Sequence, residues 1–571
     1  MRFNIVGPLV RPAVLFVALA GNARAVEAPI AVDLGTLGGT YSTALAVNAS
    51  GQAVGYSTFT QSSDQHAFLW THSGGMVDLG TLGGAISNAL AVNDSGQVVG
   101  YSFTSGNAES HAFLWTQSGG MVDLGTLGGT RSEAVAVNAS GQVVGFSSPT
   151  DHFPWHAFSW TKSGGMIDLG TLGGTFSAAL AVNDIGQVVG YSGTAGDAET
   201  HAFSWTQSGG MMDLGTLGSS VSIARAVSAG GQVVGDSFTA GFAELHPFAW
   251  TQSGGMIDLG TLGGNVSSAQ AVNANDQVVG YSHTLGGNAQ HPFSWTQSGG
   301  MLDVGTLGGP FGIAVAVNER GHVVGSSSTP EISNSHAFSW TESGGMIDLG
   351  TLGGSFSFAR AINASGQIVG DSTTPGEAET HAVLWQRDSF FLHGSGGTGN
   401  PPVLFLDTNA PTGSTPKYKD SPPVSLGGGN PWKAVGTWNT APDLTAGLLS
   451  NVGDVDVWLG LKNSDDQGTN FDLRIEVRKN ATELVAAGEV YCINGVTKNP
   501  AKAKGVAVPP DPSTPVPFDG SADVLSLKVL TRIGTGASCA GHSNATGLRV
   551  YFDAVDRNAM IEAVVFDPAA P

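Results

Sequence analysis

The sequence predicts an all-β protein, in which an eight-bladed β-propeller of 45-residue repeats precedes a small β-sandwich domain. Three observations lead to this fold class. Two sequence strings each recur eight times at constant spacing, every repeat contains segments for four short strands, and glycine contributes 84 of 571 residues while only 12% are charged. Such a composition suits short strands joined by tight turns, and long surface helices are not expected.

The first 25 residues are predicted to be a signal peptide. Basic Arg2 and Arg11 precede the apolar run AVLFVALA, and the small residues around Ala25 fit a signal-peptidase site. No later run reaches the roughly 20 apolar residues that a membrane helix needs. We therefore expect a protein that is secreted, periplasmic or on the cell surface, without membrane insertion.

The repeat region is assigned to residues 26–394. The string DLGTLGG, or a close variant, begins at Asp33, Asp78, Asp123, Asp168, Asp213, Asp258, Asp303 and Asp348. The string HAFLW, or a variant, begins at His66, His111, His156, His201, His246, His291, His336 and His381. It ends at Trp70, Trp115, Trp160, Trp205, Trp250, Trp295, Trp340 and Trp385. One register without insertion indicates one supersecondary unit stacked on itself.

Each repeat is expected to form two β-hairpins. The segments AVAVN and QVVGYS flank an Asn-Ala-Ser-Gly type of turn, and HAFLWT and MVDLG flank a Gly-Gly turn. Four strands in 40 to 50 residues are typical of a propeller blade. The repeats begin with half a hairpin at Ile30–Leu34 and end with the other half at His381–Trp385, so pairing these halves would close a ring. Alternatively, Phe390–His393 pairs locally after Trp385.

These recurring strings resemble the HAF-repeat family, a group of extracellular repeat proteins named for the His-Ala-Phe string. The resemblance covers about residues 30 to 390, where HAF, the following Trp and DLGTLGG recur together. His246 and His291 are followed by Pro instead of Ala, and the last copy reads HAV. The resemblance implies an exported location and no established activity.

The repeated His, Trp and Asp residues are interpreted as structural. A residue present in every repeat serves what every repeat must do, which is to fold, and WD-type blades use such residues in hydrogen bonds across strands. Histidines on separate blades would be too far apart to share one metal ion. Turns such as Asn93–Gly96 hold too few carboxylates for calcium. We expect no metal and no cofactor.

The formal charge of −22 lies mainly in the repeats, where residues 26–392 hold 27 acidic and 6 basic side chains. A surface this negative repels nucleic acid and anionic membranes and favours a soluble monomer. We therefore expect no nucleic-acid partner.

Candidate binding residues lie in the loops between QVVGYS and HAF, which differ in every repeat. Loops on a rigid scaffold are common sites of recognition. One loop carries Asp151, His152, Phe153 and Trp155, whose aromatic rings would suit stacking on a sugar or a peptide. The alternative is a locally packed loop.

The C-terminal part is predicted to be a Gly/Pro/Ser-rich linker over residues 395–430 and a β-sandwich over residues 431–571. Alternating segments such as FDLRIEVRKN and DVLSLKVLTRI indicate strands. Cys492 and Cys539 are expected to form a disulfide in an oxidising compartment. The string around His393 and Ser395 resembles an oxyanion-hole strand, but no Gly-x-Ser-x-Gly elbow accompanies it.

The function that we expect is non-enzymatic binding or cell-surface interaction through the variable propeller loops, with an extracellular glycan or protein as partner. The alternative is a hydrolase or lyase that acts on extracellular polysaccharides. It would need acidic groups that break the repeat pattern, such as Asp151, Glu199, Glu244 and Glu379. A third hypothesis is a structural surface protein without a ligand. No catalytic residue is assigned.

Overall fold

The structure is a computed structural model, which describes residues 30–566 with gaps. The gaps are residues 60–63, 73, 152, 332–333, 343, 387, 396–402, 408–416, 427–428, 441–446, 451–454, 500–501, 509–515, 519–522, 536–538, 540–543 and 553–558. The predicted signal peptide and His152 lie outside the described residues. The all-β prediction is confirmed, because the described elements are strands and short 3-10 turns. No helix in this part of the chain is long and apolar enough to cross a membrane.

The repeat region consists of four-stranded antiparallel units, numbered 1 to 8 along the chain. The first strands are Ser42–Val47, Gly83–Val92, Ser132–Val137, Gly173–Val182, Gly218–Val227, Gly263–Val272, Gly312–Val317 and Ser357–Ile362. The second strands are Ala53–Thr58, Val98–Thr104, Val143–Ser147, Val188–Thr194, Val233–Thr239, Val278–Thr284, Val323–Ser328 and Ile368–Thr373.

The other two strands of each unit contain the recurring strings. The third strands are Gln65–Thr71, Ser110–Thr116, His156–Thr161, Thr200–Thr206, Leu245–Thr251, Gln290–Thr296, Ser335–Thr341 and Thr380–Gln386. The fourth strands are Gly75–Asp78, Gly120–Asp123, Gly165–Asp168, Gly210–Asp213, Gly255–Asp258, Gly300–Asp303, Gly345–Asp348 and, for unit 8, Ile30–Gly35. Short 3-10 turns follow some second strands, at Ser105–Asn107, Ala195–Asp197, Ala240–Phe242 and Pro375–Glu377.

Unit 8 is completed by the N-terminal strand, as the two half-hairpins predict. Ile30–Gly35 pairs antiparallel with Thr380–Gln386, and Ala31 lies opposite Trp385. The alternative local pairing does not occur, because Phe390 and Phe391 pair with C-terminal strands instead. First strands of consecutive units also contact one another through all eight units and back to unit 1. The described units therefore form a closed cycle around the first strands.

Apolar packing between units follows the alternation of the HAFLW strand. In unit 1, Phe68 and Trp70 pack against unit 8, whereas Ala67 and Leu69 pack against unit 2. A similar cluster fills each of the other interfaces between described units. Because successive side chains of a strand point to opposite faces, a strand buried on both faces contributes to two clusters.

A serine bridge joins consecutive units at six of the eight interfaces in the described part of the chain. The backbone N–H after the histidine donates to a serine hydroxyl of the next unit, as from Ala67 to Ser87 at 2.9 Å. The other five bridges run from Ala112 to Ser132, Ala157 to Ser177, Ala202 to Ser222, Ala337 to Ser357 and Ala382 to Ser42. Pro247 and Pro292 replace the alanine at the two remaining interfaces and have no N–H to donate.

The C-terminal part forms its own set of strands around one core cluster. The strands are Asp388–Ser395, Val403–Asp407, Lys417–Asp420, Val424–Ser425, Lys433–Asn439, Gly447–Ser450, Val455–Leu461, Phe471–Lys479, Glu483–Ile493, Lys504–Val508, Val516–Phe518, Leu525–Ile533, Asn544–Ala545, Leu548–Phe552 and Met560–Phe566, with a 3-10 turn at Ser464–Asp466. Cys492 and Cys539 form the predicted disulfide.

The predicted boundary between repeats and linker differs from the observed one. Asp388–Ser395, assigned to the propeller, pairs with Val403–Asp407 and Met560–Phe566 of the C-terminal part. Leu392 and Leu406 are buried in the C-terminal core, and strands occur within residues 395–430. These strands are short, and they form by pairing with distant segments, as Lys417–Asp420 does with Leu548–Phe552, so local composition did not reveal them.

Candidate functional site

Each repeated histidine pairs with the repeated aspartate. The histidine Nδ1 lies 2.7 to 2.9 Å from a carboxylate oxygen twelve residues further on, from His66–Asp78 through His336–Asp348. The eighth pair, His381–Asp33, joins the two chain ends of the cycle at 2.8 Å. Each aspartate also accepts the N–H of the glycine two residues later, as at Gly80 and Gly35.

Several acidic residues that break the repeat pattern contact the histidine of their own unit. Glu199, Glu244 and Glu379 each lie 2.7 to 3.0 Å from the Nε2 atom of the histidine two residues later. At His381, burial opposes protonation, but hydrogen bonds and charges from Asp33 and Glu379 outweigh it and raise the pKa of the imidazole. Asp151, the fourth acidic residue considered, lies in unit 3, where its carbonyl accepts from Thr130. These acidic groups therefore serve separate units.

Asparagines in the turns between first and second strands link the units laterally. Each side-chain amide donates to the carbonyl of the equivalent residue in the next unit at 2.9 to 3.1 Å, beginning with Asn48 to Asn93 and closing with Asn363 to Asn48. In unit 5, Ser228 replaces the asparagine and contacts Asp276 of unit 6. These turns define one side of the cycle, which we call the turn face.

The variable loops lie on the opposite side, together with the Gly-Thr-Leu-Gly-Gly segments that lead into the first strands. The N–H of Gly39 donates to the carbonyl of Thr58, and the N–H of Thr175 donates to the side chain of Asp197. Several loop side chains are widely exposed, such as Leu285 at 86% and Phe242 at 55%. We call this side the loop face.

The predicted binding loop of unit 3 contacts unit 4 through aromatic rings. Phe153 is 64% exposed and its ring lies 6.0 Å from that of Phe176. Phe176 in turn lies 6.3 Å from Tyr191. Trp155 packs edge-on against Phe146 at 5.3 Å. The loop is therefore part of a larger aromatic cluster, and Asp151 is exposed at its edge.

Gly193 makes room for this cluster. A Cβ atom built on Gly193 would lie 2.9 Å from a ring carbon of Phe176 and 2.6 Å from the Asp197 carboxylate. Most other units have a side chain here, such as Phe103, Phe238 or His283. Any side chain at residue 193 would displace the Phe176 ring, so the position of that ring depends on glycine at residue 193.

Aromatic residues also occupy one equivalent position of the second strand in four consecutive units. They are Tyr56, Tyr101, Phe146 and Tyr191, all half-buried and close to the loop face. In units 5 to 8 the position holds Asp236, Tyr281, Ser326 and Asp371. Sequence reasoning missed this series because it compared whole repeats. Alignment of single columns at 45-residue spacing would have revealed it.

The aromatic residues on this part of the loop face form what we call the aromatic band. It comprises Tyr41, Tyr56, Tyr101, Phe146, Phe153, Trp155, Phe176 and Tyr191. Tyr41 stacks on Tyr56, with ring centres 5.9 Å apart. The rings thus occur in units 1 to 4 on the side of the variable loops, with ring contacts within units 1, 3 and 4 and between units 3 and 4.

Polar groups accompany the aromatic band. The Gln65 amide donates to Asn88, whose own amide donates to the hydroxyl of Tyr101. Burial, followed by the nearby charge of Glu133, raises the pKa of Tyr101. Burial also raises the pKa of Glu133, which lies opposite Phe146 in the sheet. The hydroxyl of Tyr101 and the carboxyl of Glu133 therefore lie beside the rings, and the buried amide of Asn88 holds the Tyr101 hydroxyl in place.

Two units carry a buried aspartate, paired with an exposed arginine, in place of the aromatic residue. Asp236 and Asp371 are buried, and each contacts an arginine on the adjacent first strand, Arg225 and Arg360 respectively. Asp371 also accepts from Thr43 of unit 1 at 2.8 Å. For Asp236, burial raises the carboxyl pKa in spite of its arginine. The arginines occur only where the second strand has aspartate, so the two residues form a matched pair.

One grouping of metal-ligand side chains occurs in the described residues, formed by Asp472, Cys492 and Cys539. Both sulfur atoms belong to the disulfide, so they are not thiolate ligands. The Asp472 carboxylate instead accepts the N–H of Cys492 and the Arg532 guanidinium. This grouping therefore stabilises the disulfide region and offers no metal centre.

The C-terminal part contacts the turn face. Arg320 lies in the turn between the first and second strands of unit 7, and its guanidinium lies 2.9 Å from the carboxylate of Asp456 on strand Val455–Leu461. The contact is on the side opposite the variable loops and the aromatic band.

No protein family matches the sequence, and neither does any curated protein. Among solved structures, TolB from Acinetobacter baumannii is similar at 12% identity with a TM-score of 0.29, over 50% of this chain and 76% of TolB. A protein from Lactobacillus plantarum matches at 13% identity with a TM-score of 0.31, and the match covers 58% of this chain and 98% of the Lactobacillus chain. Hydrazine synthase from Kuenenia stuttgartiensis matches at 10% identity with a TM-score of 0.31, and the match covers 90% of this chain and 68% of the synthase chain. Similarity at this level carries no argument about fold or activity.

Proposed function

We propose that the chain is an exported, non-enzymatic binding protein whose loop face recognises an extracellular glycan or protein. In this proposal the eight units are the blades of a β-propeller of the HAF-repeat type. The C-terminal part is a β-sandwich that serves as an anchor or a second binding module. The protein acts as a monomer that is secreted, periplasmic or on the cell surface.

The observation that supports this function is that the repeated residues make internal contacts, whereas the variable residues are exposed on the loop face. Repeated histidines, aspartates and asparagines are engaged in contacts within and between units, as in His66–Asp78 and Asn48–Asn93. The loop face instead presents residues that differ from unit to unit, including exposed Phe153 and Leu285. A scaffold with constant internal contacts and variable exposed loops is suited to recognition.

No specific observation favours the alternative of a polysaccharide hydrolase or lyase. Such enzymes need two acidic groups on either side of one scissile bond, about 5 to 9.5 Å apart in glycosidases. Glu199, Glu244 and Glu379 instead each contact the histidine of their own unit.

The test is to block each face of the full mature chain, residue 26 onward, with a bulky thiol-reactive polymer. Leu285→Cys introduces a thiol on the loop face, and Ile185→Cys introduces one on the turn face, where Ile185 is 74% exposed. The natural cysteines form the disulfide, so the introduced thiol is the only free one. Binding would be measured on a glycan array and on the surface of intact producing cells.

We expect modification of Leu285→Cys to abolish binding and modification of Ile185→Cys to leave it unchanged. Unmodified forms of both variants serve as controls for folding. Loss of binding only when the turn face is blocked, or binding unaffected by either modification, would contradict recognition by the loop face.

A further inference from the structure

We propose that the aromatic band binds an uncharged polysaccharide, with successive sugar rings lying along units 1 to 4. This inference rests on the proposed function and names the ligand class of the loop face. Its first support is the series Tyr56, Tyr101, Phe146 and Tyr191, which occupies one position in four consecutive units. A series of rings at a repeated position fits a ligand that itself repeats.

The chemistry of the band matches a sugar ring. A pyranose has an apolar face of C–H groups, which packs on aromatic rings, and an edge of hydroxyl groups, which needs hydrogen-bond partners. Tyr101 presents a hydroxyl that the buried Asn88 amide holds in place, and the Glu133 carboxyl lies close to Tyr101. At Phe176 the nearby polar group is the Asp197 carboxylate, which lies beside Gly193 and accepts two hydrogen bonds from Thr175.

The net charge of the repeat region favours an uncharged ligand. The repeat region holds 27 acidic and 6 basic residues, and the formal charge of the chain is −22. Arg225 and Arg360 on the first strands are paired with buried Asp236 and Asp371, and Arg131 is an exposed cation just before the first strand of unit 3. Uronic-acid and sulfated polymers would be repelled by this field, whereas an uncharged polymer meets no such barrier.

The chain supplies a matched control for the band. Tyr281 occupies the same position in unit 6, but its neighbours in units 5 and 7 are Asp236 and Ser326, so it is outside the series. Because unit 7 has serine at this position, a serine substitution copies a residue that the scaffold already accepts. The variants are Tyr101→Ser and Tyr191→Ser in the band and Tyr281→Ser as the control.

The experiment measures affinity of the full mature chain for soluble xylan, mannan and β-glucan, with polygalacturonate and heparin as anionic comparisons. We expect saturable binding to at least one uncharged polymer. Tyr101→Ser and Tyr191→Ser should each weaken it about fivefold to tenfold, since each removes one stacking contact. Tyr281→Ser should bind as the unmodified chain does.

Melting temperatures establish whether each variant folds. If Tyr101→Ser does not fold, Tyr101→Phe provides a second measurement at the same residue. That variant keeps the ring, removes the hydroxyl that Asn88 contacts, and should retain most of the affinity. Preference for the anionic polymers, equal losses in all three serine variants, or no binding to any uncharged polymer would overturn the inference. In the last case, loss of cell-surface binding on blocking Leu285→Cys would show that the proposed function survives with another ligand.

Discussion

The two prolines at the serine bridge allow the same substitution to be tested in two surroundings. Pro247 faces Ser267 of the next unit. The Ser267 hydroxyl donates instead to the carbonyl of Tyr281. Pro292 faces Gly312, and a Cβ there would lie 2.8 Å from the proline Cδ. Replacing either proline by alanine restores an N–H, but only Ser267 provides an oxygen to accept it.

The magnitudes follow from these contacts. In Pro247→Ala the new hydrogen bond to Ser267 contributes about 1 kcal/mol, which roughly offsets the 0.4 to 1 kcal/mol lost by loosening the unfolded chain. In Pro292→Ala the same loss adds to a buried N–H without a protein acceptor, which costs about 1 to 3 kcal/mol. The loss in the unfolded chain is common to both variants, so we expect Pro292→Ala to be less stable than Pro247→Ala by about 2 to 4 kcal/mol.

Urea unfolding of the full mature chain, followed by tryptophan fluorescence, would measure the difference. Hydrogen exchange at residues 247 and 292 would report directly whether each new amide is protected. Adding Gly312→Ser to Pro292→Ala should restore both stability and protection, because it recreates the bridge found in the alanine units. Equal destabilisation by the two alanine variants, or no rescue by Gly312→Ser, would refute the reasoning.

Three further predictions concern other contacts. Because the pKa of His381 is raised, its protonated form stabilises ring closure fully below the ordinary pKa of about 6.5, and this stability is lost as pH rises through the raised pKa. Glu379→Gln should move that loss to lower pH in melting curves, and an unchanged pH profile would contradict the prediction. Arg360→Leu should destabilise the protein by about 1 to 3 kcal/mol, because buried Asp371 loses a partly exposed cation and keeps its hydrogen bond from Thr43. Adding Asp371→Tyr, the residue found in units 1, 2, 4 and 6, should restore the urea midpoint, and failure to do so would argue against the matched pair. Removing the disulfide by Cys492→Ser should cost about 4 kcal/mol for a loop of 47 residues, whereas an unchanged urea transition of the C-terminal part would contradict it.

Spacing in the sequence was sufficient for contacts within a unit. His111 and Asp123 recur at a fixed distance, which predicted that they share one unit, where they are in contact. The two half-hairpins left two pairings open, and the structure shows the one that closes the cycle. Contacts between units were not predicted. The Asn48–Asn93 bond joins residues 45 positions apart, and a single turn gives no indication of it.

The aromatic band was only partly predicted. The sequence identifies Phe153 and Trp155 as candidates because their loop differs from the loops of the other units. Tyr56 and Tyr101 lie in strands that match the repeat, so comparison of whole repeats does not distinguish them. Their importance arises from being consecutive in space. The C-terminal boundary was misplaced for a different reason, since glycine and proline around residues 395–430 conceal short strands that are stabilised only by pairing with distant ones.

Closure of the ring by Ile30–Gly35 has a consequence for biosynthesis. The strand made first must wait for the partner made last, and His381–Asp33 joins residues 348 positions apart. A partly synthesised or shortened chain therefore exposes unpaired strand edges at both ends, and such edges promote aggregation. Only a chain with every repeat present and the N-terminal strand free can hide both edges, so closure acts as a check on the completeness of each molecule.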